Sequence, residues 1–302
     1  MERQAGGLGK AGDHDGATVA KGCGRTFQPS RQTFARGEHG RFWEPDHVYL
    51  VGIVCGNLTQ SPSYGQVTAN ALFALHDKLG AMKQKEILSQ IAGIGIVPVV
   101  RTTSAETAIL AIQAIYRGGV RAAEITMTVP GAVRALEKVA DQFGDKIVLG
   151  AGTVLDPETA RICMLAGAEF FVTPSLKLAT IEVVKRYGKV ICPGALTPTE
   201  VLTAWEAGAD VVKIFPCGNV GGAKYIKALK GPFPQIEMIP TGGVNLETAG
   251  EFLKAGACAV AVGGELVDAK LIREGRYDLI EERARQYLAA IAKARAEMAE
   301  QS

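Results

Sequence analysis

One lysine and one glutamate in this chain have the types and the spacing of a catalytic pair. Lys213 sits in Ala-Asp-Val-Val-Lys-Ile-Phe-Pro (209–216), an apolar run expected to form a strand buried on both faces. Burial disfavours an unpaired ammonium, and the free amine of a lysine attacks carbonyls. Such a lysine has two other uses: it can pair with a carboxylate, or run its stem out to the surface. Glu124 enters through a repeated phrase. Gly-Gly-Val-Arg-Ala-Ala-Glu-Ile (118–125) aligns with Ala-Gly-Ala-Glu-Phe-Phe-Val-Thr (166–173), Ala-Gly-Ala-Asp-Val-Val-Lys-Ile (207–214) and Ala-Gly-Ala-Cys-Ala-Val-Ala-Val (255–262). Five residues past the second position of each phrase stand Glu124, Val172, Lys213 and Ala261. A carboxylate and an ammonium thus occupy equivalent strand positions facing the same way. Opposite a lysine, Glu124 reads as a general acid/base whose titration is coupled to it. A satisfied core carboxylate is the blander reading.

The elements that position this pair follow from the same phrase. Each copy closes a helical stretch with a glycine able to take φ > 0, then a short loop, then a buried strand. From Gly93 onward, eight strands are expected: Ile96–Arg101, Ala122–Met127, Ile147–Gly150, Phe170–Thr173, Val190–Cys192, Asp210–Phe215, Glu237–Pro240 and Cys258–Val262. Eight βα units over residues 82–302 predict an α/β fold of the (β/α)8 TIM-barrel class. An open doubly wound sheet would carry a nucleotide loop after its first strand, and no such loop is present.

In a barrel of this class the site lies at the C-terminal ends of the strands. Arg101 ends the first strand, where a guanidinium can bind a carboxylate bidentately or form a rim salt bridge. Thr153 follows the glycines of Gly-Ala-Gly-Thr (150–153), which let a backbone approach a ligand. Gly242-Gly243 and Gly263-Gly264 close strands seven and eight, where backbone amides can cradle a phosphate or simply make tight turns. Thr197-Pro198-Thr199-Glu200 has the form of a helix start, and with Trp205 is read as structural.

Composition narrows the options. A net charge of +2 implies no attraction to nucleic acid or membrane surfaces. No apolar run approaches the roughly 18 to 20 residues of a membrane helix. Six cysteines without a CxxC pair read as reduced thiols of a cytoplasmic protein. All four histidines precede Met82, so a folded unit starting there has no imidazole for metal binding or a Ser-His pair. Residues 1–81 are rich in Gly, Ser, Gln and Asn and lack sustained periodicity. They are expected to be an irregular or disordered extension, or an artefact of the gene model.

From about Met82 onward the chain resembles the class I aldolases of the KDPG/KHG family, which cleave 2-keto-3-deoxy-6-phosphogluconate and 4-hydroxy-2-oxoglutarate. The resemblance rests on Val-Pro-Val-Val-Arg (97–101), Glu-Ile-Thr-Met-Thr-Val-Pro (124–130), Gly-Ala-Gly-Thr-Val (150–154) and Val-Thr-Pro-Ser (172–175). It continues in Pro-Gly-Ala-Leu-Thr-Pro-Thr-Glu (193–200), Val-Lys-Ile-Phe-Pro (212–216) and Pro-Thr-Gly-Gly-Val (240–244). It implies a TIM barrel, a homotrimer, Lys213 as the Schiff-base residue and Glu124 as the proton shuttle. Arg101, Thr153, Pro174 and Phe215 would contact a small 2-keto acid, and Gly242, Gly243, Gly263 and Gly264 its phosphate. No metal or organic cofactor is implied. Two departures stand out: Thr128 replaces an arginine found in some members, and Gly264-Glu265 stands where a serine is common. The alternatives are the same chemistry on 2-keto-3-deoxy-6-phosphogalactonate or an unphosphorylated sugar acid, a phosphate-binding barrel without imine chemistry, and an inert barrel serving as a binding module.

Overall fold

The computed structural model describes residues 83–300; the expected extension, 1–81, lies outside the described residues. Helix α1 (83–94) leads into β1 (Ile96–Val100). Then follow α2 (Ala105–Arg117), β2 (Ala122–Thr126), α3 (Ala132–Phe143), β3 (Val148–Gly152), α4 (Pro157–Leu165), β4 (Phe170–Val172), α5 (Leu178–Arg186), β5 (Val190–Cys192) and β6 (Gly194–Ala195). The chain continues through α6 (Pro198–Glu206), β7 (Val212–Ile214), α7 (Ala223–Lys230), β8 (Met238–Pro240), α8 (Ala249–Lys254), β9 (Val260–Val262), α9 (Ala269–Arg273) and α10 (Tyr277–Ala299).

The repeat dictates how four helices hand over to their strands. Gly119, Gly167, Gly208 and Gly256, the second residue of each phrase, have φ between 93° and 102°. Glycine adopts that conformation without the steric cost a side chain would bring. The start of α6 also follows its sequence: Thr197 and Glu200 form a reciprocal capping box, with Pro198 in the first turn.

All strand pairs are parallel. One sheet runs β5-β4-β3-β2-β1-β9 and a second runs β6-β7-β8. At one margin the carbonyl of Pro193, between β5 and β6, accepts from the Lys213 amide at 2.9 Å. At the other, Thr241 bridges to Ala261 of β9. The strands therefore make one curled parallel sheet. The fifth expected strand, Val190–Cys192, is β5; β6 is an additional short strand after Pro193, which has no amide hydrogen for a ladder. Arg101, Met127, Thr173 and Phe215, expected as strand ends, stand just outside their strands, whereas Gly152 lies inside β3.

Residues alternate between two apolar layers, as strands covered on both sides require. Val97, Val99, Ala122, Val148, Phe170, Val190, Val211 and Ala259 form an inner cluster with Ile87 and Ile91 of α1. Ile96, Val100, Ala123, Ile125, Val212 and Ile214 join the outer cluster under the helices. By the same alternation Glu124, two residues past Ala122, and Lys213, two past Val211, project inward. Helix α10 secures α1 against this arrangement: Arg295 donates to the carbonyls of Gly93, at 2.5 Å, and Ala92.

Candidate active site

Lys213 is the middle residue of β7 and Glu124 the middle residue of β2. They are 6% and 1% exposed. Both line a cavity of about 10 Å³, close to the least volume that holds one water. All four residues of the repeat's equivalent slot, Glu124, Val172, Lys213 and Ala261, line it. Phe170, Val97 and Ile91 supply apolar wall.

Neither oxygen of the Glu124 carboxyl has a protein hydrogen-bond partner. Burial pushes its pKa above the usual carboxylate value, while the positive charges of Lys213 and Arg101 pull the other way. The Lys213 ammonium lies 5.1 Å from the ring centroid of Phe215, within cation–π range. An amine and a carboxyl with a proton-holding tendency thus share a nearly dry cavity. That arrangement can add an amine to a carbonyl and carry protons to and from the adduct.

The other expected residues stand past the C-terminal ends of the strands. Arg101 is exposed at the end of β1, and its charge is felt by Glu124. Thr153 has φ 55°, the only non-glycine residue in the left-handed region among those described. A β-branched residue held there is strained, a feature that gathers at functional sites. Pro174 packs its backbone against Gly194, the strand neighbour of Lys213.

The role of Gly150 and Gly152 changes. Gly150 and Gly152 were expected to open the backbone to a ligand. Instead they make room for protein: a Cβ on Gly150 would stand 2.2 Å from the Phe170 ring, and one on Gly152 would stand 2.5 Å from Oε1 of Glu124. The glycine pairs after β8 and β9 also differ from each other. Gly242 and Gly243 have φ 86° and 76°, and a Cβ on Gly243 would stand 2.7 Å from the Gly218 Cα. Their identity is already required by the turn. Gly263 and Gly264 have ordinary φ, and a Cβ on either would meet nothing within 4 Å. Glu265, beside them, is exposed. Its main-chain carbonyl accepts from Arg283, and its charge acts on Tyr287 of α10.

Thr241, given no role of its own in the sequence, joins the centre. Its buried hydroxyl lacks a protein partner and it lines the cavity with Lys213 and Glu124. The sequence signal was its place directly after a strand; its inward aim required the fold.

Comparison with known proteins matches the family model described as KDPG and KHG aldolase to residues 87–283. The chain belongs to the KDPG and KHG aldolase family. It is 35% identical over 175 residues to the 2-dehydro-3-deoxy-6-phosphogalactonate aldolase of Escherichia coli K12, covering 58% of this chain and 85% of that one. It is 33% identical over 194 residues to the 2-dehydro-3-deoxy-phosphogluconate aldolase of Dickeya dadantii, covering 64% and 91%. Among solved structures, the KDPG aldolase of Legionella pneumophila superposes with a TM-score of 0.62 at 28% identity, covering 66% of this chain and 96% of that one. That structure holds pyruvate captured as a covalent carbinolamine. No helix among the described residues is long and apolar enough to cross a membrane.

Proposed function

We propose that this chain is a class I aldolase, a lyase that cleaves 2-keto-3-deoxy-6-phosphogluconate to pyruvate and glyceraldehyde 3-phosphate. 4-Hydroxy-2-oxoglutarate, giving pyruvate and glyoxylate, is a second substrate of the same site. The observation that carries the proposal is the burial of Lys213 and Glu124 in one cavity.

The Lys213 amine adds to the C2 ketone, and loss of water leaves a protonated imine. Glu124 takes the C4 hydroxyl proton through a water. The C3–C4 bonding electrons pass to the imine, leaving an enamine and releasing the aldehyde. Glu124 then returns a proton to C3, and hydrolysis frees pyruvate and the lysine. Arg101 and Thr153 hold the pyruvyl carboxylate and carbonyl, with Pro174 and Phe215 beside them. Gly242, Gly243, Gly263 and Gly264 offer backbone amides to the 6-phosphate. The test is stoichiometric release of both products from 2-keto-3-deoxy-6-phosphogluconate; absence of pyruvate release would contradict the assignment.

The C4 epimer, 2-keto-3-deoxy-6-phosphogalactonate, is a second reading, favoured by the 35% identity to a relative named for it. A direct comparison of kcat/KM for the two epimers decides between them.

We further infer an eight-stranded closed barrel, with β5 and β6 counted as one strand. The hydrogen bond between Pro193 and Lys213 and the Thr241–Ala261 bridge support closure at both margins. A homotrimer fits an apolar patch: Leu155, Ile162, Leu165 and Leu178 are each more than half exposed, on or beside the neighbouring helices α4 and α5. A reducing, cytoplasmic setting fits the free thiols of Cys163, Cys192, Cys217 and Cys258. The folded unit is read as residues 82–302.

A further inference from the structure

Thr173, the first residue past β4, uses its hydroxyl twice. It accepts a hydrogen bond from the Gly194 amide at 3.1 Å and donates one to the Ser175 carbonyl at 2.6 Å. The residue is 2% exposed, so water competes little for either bond. The two bonds tie the turn carrying Pro174 to β6. That strand is the neighbour of β7, and Gly194 is the register partner of Lys213. The contact is close. A Cβ on Gly194 would stand 2.4 Å from the Pro174 carbonyl carbon and 2.5 Å from its oxygen. Thr173 itself is not among the residues lining the cavity that holds Lys213 and Glu124.

We propose that Thr173 is a positioning residue for the imine chemistry. Its hydroxyl fixes the Pro174 turn and β6 against the strand that carries Lys213. The amine then meets the substrate carbonyl from a held direction. This rests on the reading of Lys213 as the nucleophile. Valine has the shape of threonine but can make neither bond, leaving the Gly194 amide and the Ser175 carbonyl without this partner. Attack geometry is sensitive to such a release, since a displacement of about 1 Å can cost on the order of 100-fold in rate.

The test follows borohydride trapping of pyruvate on the full chain. Total adduct at long times counts competent sites, and the time course gives a rate constant per site. Wild type is expected to label Lys213. Thr173→Val should reach the same total with a rate constant lower by about tenfold. Thr173→Ser, which keeps both bonds, should stay within about threefold of wild type. A valine variant with the wild-type rate constant overturns the inference. So does one with less total adduct at an unchanged rate constant, which is the signature of a structural role alone. A serine variant as slow as valine overturns it too. Should the valine variant not fold, Thr173→Cys, whose thiol is a weaker hydrogen-bonding group, is read against the same outcomes. Wild type without adduct at Lys213 overturns the nucleophile reading and this inference with it, whereas a labelled wild type matched by valine overturns this inference alone.

Discussion

The carboxyl of Glu124 occupies the space that a side chain on Gly152 would need: a Cβ there would stand 2.5 Å from Oε1 and 2.8 Å from Cδ. Gly152 lies on β3, next to the strand that carries Glu124. The glycine therefore sets where the carboxyl can rest. Gly152→Ala should move Glu124 out of its position and lower kcat by roughly tenfold or more. Trapping of pyruvate on Lys213 should persist. Wild-type kcat in Gly152→Ala would show that the position of Glu124 is not set by this contact.

Removing the titratable group tests its role more directly. Glu124→Gln keeps the shape but cannot take or return a proton. Turnover should fall by roughly 10²–10⁴-fold, the range of general acid/base catalysis, while imine formation with pyruvate largely survives. Turnover near wild type would mean that another group carries the proton.

The same variant should change how stability depends on pH. Burial raises the Glu124 pKa in the folded protein above the usual carboxylate value. Between the unfolded value and the raised folded value, the folded state binds more protons than the unfolded state. Wild type therefore loses stability as pH rises through that window, and holds this contribution fully only below the unfolded value. Glutamine has no such loss. The Tm of Glu124→Gln minus that of wild type should grow as pH rises from about 4 to about 8. A difference that stays flat, or shrinks with rising pH, would contradict the assigned direction of the shift.

Glu265 follows the open glycines Gly263 and Gly264 in the chain and is exposed. A phosphate bound there would meet like charge. Glu265→Ser should lower KM for the 6-phosphate substrate by roughly twofold to fivefold, the size of one exposed charge–charge interaction. The gain should shrink at high salt. Pyruvate trapping should not change, because the imine forms at the other end of the substrate. An unchanged KM would place the phosphate away from this loop. Gly243 is a poor probe of the same question, since its φ of 76° and its contact with Gly218 already require glycine.

Much of the centre is legible in the sequence. The repeat located the four positive-φ glycines and the slot whose residues share one cavity, because register and side-chain alternation carry a fixed spacing into space. Lys213 and Glu124 were visible for the same reason: each is a charge inside an apolar strand. Contacts between residues distant in sequence were not visible. Gly150 answers to Phe170, Gly152 to Glu124 and Gly243 to Gly218, and no local pattern marks those partners. Thr173 and Thr241 each stand at the C-terminal end of an expected strand, one as its last residue and the other just past it. In the fold one is bonded twice and the other has no protein partner.

The central claim is that Lys213 forms the imine. Incubation with pyruvate and borohydride, followed by mass spectrometric mapping, tests it most directly. The account predicts one reduced adduct per chain, on Lys213, and none in Lys213→Arg, whose guanidinium stays protonated. An adduct on another lysine, or no adduct in wild type, would contradict it.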